Sequence, residues 1–156
     1  SRGLGDVYKR QEYIDAIREL WTSTSPYFSG QFVNYSGIQS RPLAYQTGGP
    51  PIIVGGTSNQ AYKRALLKGQ GWYGFAMDVE TSKACIERLA SLRPDVNRDP
   101  NLGELEISIT PRDPLTEEII KAYEDMGVDR LILLQGGQNT DELVAYVDLI
   151  AQTYIQ

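Results

Sequence analysis

Between residues 51 and 156 the chain repeats one pattern four times: a short apolar run, a polar or glycine turn, then a stretch with helical periodicity. No other feature of the sequence narrows the fold as far. The apolar runs predict strands near residues 51–55, 71–76, 105–110 and 130–134. Pro51-Ile52-Ile53-Val54 and the Arg130-Leu131-Ile132-Leu133-Leu134 run are continuous rather than alternating, which suits strands buried on both faces. Helices are expected over Asn59–Lys68, with Ala61, Tyr62, Ala65 and Leu66 along it and Gly69 as its stop. Another is expected over Val79–Leu92, capped by Asp78, with Ala84 or Cys85 plus Leu89 and Leu92 inward. A third opens at Asp113-Pro114 and ends at Gly127. The last, capped by Asn139 or Thr140, carries Leu143, Val147, Ile150 and Tyr154 on one stripe. Strands that alternate with helices pair in parallel, because each return crossing needs a helix-length connection. Two closures remain: an open doubly wound sheet, or part of a (β/α)8 TIM barrel. A whole barrel takes about 250 residues, so 156 residues can supply only part of one.

Upstream, Tyr13, Ile14, Ile17, Leu20 and Trp21 recur at helical spacing from Glu12 onward. Residues 23–49 read as a long loop rich in Ser, Gly, Gln and Tyr, and a loop of that length in a compact domain is usually functional or disordered. Residues 1–11 show no periodicity; they are expected to be a non-native or disordered leader, with the domain running over residues 12–156. The chemistry is bounded by what the chain lacks. It has no histidine and a single cysteine, Cys85, so Ser-His catalysis, histidine bases and Cys- or His-rich metal sites are outside what these residues can do alone. Cys85 is expected to be a small buried hydrophobe. The net charge is −5, and the 15 basic residues are scattered, which argues against a nucleic-acid partner. No run of eighteen apolar residues exists, so no membrane span is expected; together with the lone cysteine this fits a cytoplasmic protein. The remaining chemistry is that of carboxylates, Tyr or Arg, or of an organic cofactor.

The most informative segment is Gly55-Gly56-Thr57-Ser58, between an apolar run and a helix start. Glycines there allow positive φ and close approach of a ligand, while Thr57 and Ser58 can cap the helix. The exposed N–H groups and dipole of a helix start make an anion site. The same four residues also make an ordinary left-handed turn with a capping serine, which is the commoner outcome for so short a motif.

The segment has more context than that turn. Pro50-Pro51-Ile52, Gly55-Gly56-Thr57-Ser58, Lys63-Arg64-Ala65 and Gly71-Trp72-Tyr73 follow in an order and spacing that resembles the luciferase-like monooxygenase family. The helical stretch from Glu12 to Thr22, then Phe28-Ser29-Gly30 and Phe32, is similar to what precedes this segment in the family, and Ala122–Leu133 to the entry into its last strand. The resemblance spans residues 12–156 and implies the last four units of a (β/α)8 barrel. It implies a cofactor, FMN or the deazaflavin coenzyme F420, at the C-terminal ends of the strands, with its phosphate on Gly55, Gly56, Thr57 and Ser58. Trp72 is expected at the cofactor cavity, or else in the core. Gln70 stands where the family usually has an acid. Gln135 and Arg112, at strand ends, are weaker candidates; Arg112 could equally form a salt bridge. The implied activity is hydride transfer or flavin-mediated oxygenation of a small-molecule substrate, with catalytic groups in an N-terminal half that is missing here, and with a homodimer as one assembly. The alternative is a non-catalytic open α/β module that binds a phosphorylated small molecule. A response-regulator-like signalling domain fits less well, since Asp78 and Asp129 do not make the required acidic cluster.

Overall fold

The computed structural model describes the backbone of residues 2–134 and 136–154, and side chains from Tyr8 onward within those ranges. Gln135 lies outside them, so its expected place in the site is not described. Helix α1 (Arg2–Thr22) leads into a short antiparallel pair, β1 (Phe28–Ser29) and β2 (Asn34–Tyr35). Four βα units follow: β3 (Ile53–Gly55) and α2 (Asn59–Lys68), β4 (Gly71–Met77) and α3 (Val79–Leu92), β5 (Glu106–Pro111) and α4 (Glu117–Asp125), β6 (Arg130–Leu131) and α5 (Thr140–Tyr154). The strands are parallel and stand in the order β3-β4-β5-β6. Each strand pairs with the next, as in a barrel wall; a doubly wound sheet would reverse at a switch point. The fold is part of a (β/α)8 barrel.

The strand period of two sorts the side chains. Val54, Trp72, Met77 and Ile109 face the helices and form the core with Tyr62, Ala65 and Leu66 of α2, Cys85, Leu89 and Leu92 of α3, and Tyr123 of α4. Tyr62 packs tilted against Trp72 at 5.7 Å between centroids. The opposite, inner face carries Gly55 and Tyr73 in register, and Tyr73 and Thr110 share a 2.7 Å hydrogen bond there. Arg98, between α3 and β5, donates to the carbonyls of Leu66 and Gly69 at 2.8 and 2.9 Å and so closes the C-terminal end of α2.

Several local expectations are corrected. The backbone is helical from Arg2, so the helix expected from Glu12 extends into the first residues. On α1 it is Ala16 that is buried, while Tyr13 and Ile17 stay exposed. The 23–49 stretch is not featureless: β1 and β2 pair within it, and Glu12 accepts backbone N–H bonds from Gln31, Phe32 and Val33 at 3.0, 2.7 and 2.7 Å. Cys85, not Ala84, faces the core. Helix α4 starts three residues after Pro114, because the Thr116 side chain accepts from Ile119 N and supplies the cap. The expected buried strand at 130–134 pairs only at Arg130 and Leu131; it is the sheet edge, and Ile132 and Leu134 are exposed. The α5 stripe is largely exposed too, at Leu143, Val147 and Tyr154.

Candidate cofactor-binding site

The chain leaves β3 at Gly55 and turns through Gly56, whose φ of +108° is one that side-chain-bearing residues avoid. A Cβ at Gly56 would also stand 3.2 Å from the Cβ of Ala61. Ser58 then caps α2, its hydroxyl accepting from Ala61 N at 3.2 Å. From the other side, the Trp72 indole N–H donates to the Gly56 carbonyl at 2.8 Å. The turn is thus fixed at its carbonyl, at its left-handed residue and at its cap. Gly55, Gly56, Thr57 and Ser58 are all exposed, and the first turn of α2 holds no acidic residue. The positive end of the helix dipole therefore faces solvent without a fixed counter-charge on its own first turn.

A cation stands beside it. Arg88, on α3, donates from Nε to Oδ1 of Asn59 at 2.9 Å, and Asn59 is the first residue of α2. Exposed helix-start amides, two hydroxyls, a side-chain-free turn and a neighbouring guanidinium are the donor set that a phosphate monoester requires. The residues present fit such a group. Of the two expected basic residues on α2, Lys63 is exposed and Arg64 is buried on the helix's packed side.

The structure moves Trp72 away from the role first expected. It is fully buried on the helix side of the sheet, in phase with Val54, because the pleat sends it opposite to Tyr73. It touches the glycine turn through its N–H bond to the Gly56 carbonyl. Arg112, at the end of β5, pairs with the Asp78 carboxylate. Bonds from the Thr81 hydroxyl and backbone N–H, with Arg112 beside them, hold the Asp78 carboxyl below its usual range. Two cavities lie against α5, one of about 420 Å³ beside the end of β5 and one of about 480 Å³ between α4 and α5, lined in common by Leu115, Leu133, Ile150 and Tyr154; neither is lined by the glycine turn. Sequence reading missed Arg88, since no local pattern links it to Asn59 twenty-nine positions earlier. It also missed Tyr73 and Phe75, which strand alternation from a core Trp72 would have placed on the inner face.

Parallel βα units in sequential order define a barrel segment, and the glycine turn and capped helix lie at the C-terminal end of a strand, the end where barrel enzymes work. Residues 7–112 match the luciferase-like monooxygenases, and the chain belongs to that family. It is 22% identical over 143 residues to an uncharacterized protein of Mycobacterium tuberculosis, and equally to one of Mycobacterium bovis. Those matches cover 90% of this chain and 48% of the relative, so the chain spans about half the length of the curated relatives it matches. Among solved structures, the EDTA monooxygenase of Chelativorans sp. BNC1 is similar with a TM-score of 0.52 and 16% identity, over 82% of this chain and 35% of that one. A riboflavin lyase, solved with modified FMN and riboflavin, is similar with a TM-score of 0.50 and 11% identity, over 78% of this chain and 32% of that one. At such identities the likeness concerns the fold. No helix among the described residues is long and apolar enough to cross a membrane.

Proposed function

We propose that this chain is the cofactor-phosphate-holding half of a flavin- or deazaflavin-dependent oxidoreductase or monooxygenase acting on a small molecule in the cytoplasm. The observation that carries the reading is the Gly56 turn, left-handed and tied to Trp72, opening directly into the Ser58-capped, acid-free first turn of α2. The phosphate of FMN, or of the deazaflavin coenzyme, would lie against the amides after Gly56, with the hydroxyls of Thr57 and Ser58 and the Arg88 guanidinium around it. When bound, such a cofactor supplies hydride transfer or oxygen activation. What these residues would contribute is orientation, by fixing the phosphate end of the cofactor. In this reading the other strands of the barrel, and the catalytic groups, come from residues that precede Glu12 in the complete protein. The riboflavin lyase's flavin ligands and the family membership support a flavin over an unrelated phosphorylated molecule.

Replacing Gly56 with Val in the complete protein tests this. Cofactor affinity, read by quenching of flavin fluorescence, is expected to fall by tenfold or more, about 1.4 kcal/mol, while the protein remains folded. A folded Gly56→Val variant with unchanged affinity for FMN and for the deazaflavin would leave the open α/β module binding another phosphorylated small molecule as the better reading.

A further inference from the structure

We propose that Phe75 is the aromatic wall of this site, packing on the ring portion of a flavin whose phosphate lies at Gly55–Ser58; the inference rests on the phosphate reading above. The starting observation is a break in the sheet. Gly74 pairs with Ile109 and Met77 pairs with Pro111, so Phe75 and Ala76 together stand opposite one residue of β5. The bulge is held by Ala76 at φ +51°, a left-handed value uncommon for a residue with a Cβ. Bulges of this kind re-aim side chains and recur beside active sites. Here the extra residue returns Met77 to the core side, where it is 6% exposed. Packing against the helices therefore accounts for Met77, while the bulge leaves the ring of Phe75 on the inner face.

Phe75 is 59% exposed, in a strand whose other large side chains are buried or half-buried. It lies on the inner face: its ring is 6.4 Å from that of Tyr73, and Tyr73 in turn bonds Thr110 across that face. Its place relative to the glycine turn is set by register. Tyr73 is paired with Gly55, and a Cβ on Gly55 would come within 4.0 Å of the Tyr73 ring. Phe75 is thus one pleat repeat beyond Gly55 toward the strand ends, on the adjacent strand. A cofactor with its phosphate on the turn would carry its flat tricyclic ring, a ribityl chain away, toward this face. Tyr73, bound to Thr110, closes the floor below it. An aromatic side chain against a flat conjugated ring gains contact area and dispersion, and it keeps water off that face of the ring.

The test separates this inference from the phosphate reading by pairing each cofactor with its dephosphorylated form. FMN and riboflavin, and the deazaflavin with and without its phosphate, are titrated against the complete protein and its Phe75→Ala and Phe75→Trp variants by fluorescence quenching, with thermal melts as controls. Phe75→Ala is expected to raise Kd roughly tenfold for the phosphorylated and unphosphorylated forms alike, in titrations run well below the variant's own melting temperature, and Phe75→Trp to retain affinity. Equal Kd for Phe75→Ala and the unsubstituted protein overturns the proposal, as does a loss confined to the phosphorylated forms. If the unsubstituted protein binds riboflavin as tightly as FMN, the phosphate reading fails, while a Phe75→Ala loss on both still upholds a ring contact. A complete protein that quenches none of the four overturns both.

Discussion

Glu12 shows how a single side chain can organise a segment that the sequence leaves without pattern. Desolvation opposes its charged form, but N–H bonds from Phe32, Val33 and Gln31 outweigh that and hold the carboxyl below its usual value of 4.5. A depressed folded pKa means that the contribution is present above the unfolded value and disappears as pH falls through the folded one. The β1–β2 hairpin is therefore expected to keep its attachment to α1 near neutral pH and to lose it only in acid below the ordinary carboxylate range. Hydrogen-exchange protection factors at Gln31, Phe32 and Val33 check this. They should collapse in acid, whereas in a Glu12→Gln variant they should be low and insensitive to pH. Identical profiles in both proteins would mean that the hairpin is held by something else. Caps such as Ser58 and Asp78 were legible because they act within three residues. Glu12, Arg88 and Arg98 were not, because each acts on chain nineteen or more positions away.

At the scale of elements, α2 and α3 begin and end where caps and stops place them, and the strands β3, β4 and β5 fall within a residue or two of the apolar runs. Legibility failed where local signals competed or where packing decides. Asp113-Pro114 is a sound start signal, yet Thr116 wins because its hydroxyl reaches the Ile119 amide. The run at 130–134 is apolar enough for a central strand, but among the described residues it has a sheet neighbour on one side only. The apolar stripe of α5 predicts its helical state and not its burial, since propensity and periodicity do not supply a surface to pack on. Stability should follow that division. Leu66→Ala in α2, at a fully buried core position, is expected to cost about 2–5 kcal/mol. Val147→Ala in α5, at an exposed position, should stay within about 0.5 kcal/mol. Urea denaturation measures both, at chain concentrations low enough that no second copy covers α5. A Val147 cost comparable to that of Leu66 would show that α5 is docked in solution more firmly than its exposure implies.

For the whole molecule, the sheet order among the described residues leaves two open edges, β3 and β6, and an inner face that no other strand of this sheet faces. An unpaired edge presents a row of N–H and C=O groups able to template another strand. Apolar side chains stand exposed around it: Ile53 on β3, Phe75 on the inner face, Ile132 and Leu134 beyond β6, and Leu143, Val144, Val147 and Leu149 on α5. Each large apolar side chain left in water forgoes about 1.5–3 kcal/mol of burial, and a domain's net stability is only about 5–15 kcal/mol. The loss at a few such positions is as large as the margin itself. The 156-residue chain on its own is therefore expected to cover these surfaces with another copy, running as a dimer or larger on size-exclusion chromatography, to bind a hydrophobic dye such as anilinonaphthalene sulfonate, and to show no redox turnover. Joined to the residues that complete the barrel, the same segment should lose the dye signal, because closure pairs both edges and packs the inner face. A dye-silent monomer with one cooperative melt would contradict this. It would mean that residues 12–156 already cover their own core, and that the inner face and edges are tolerated in water as they stand.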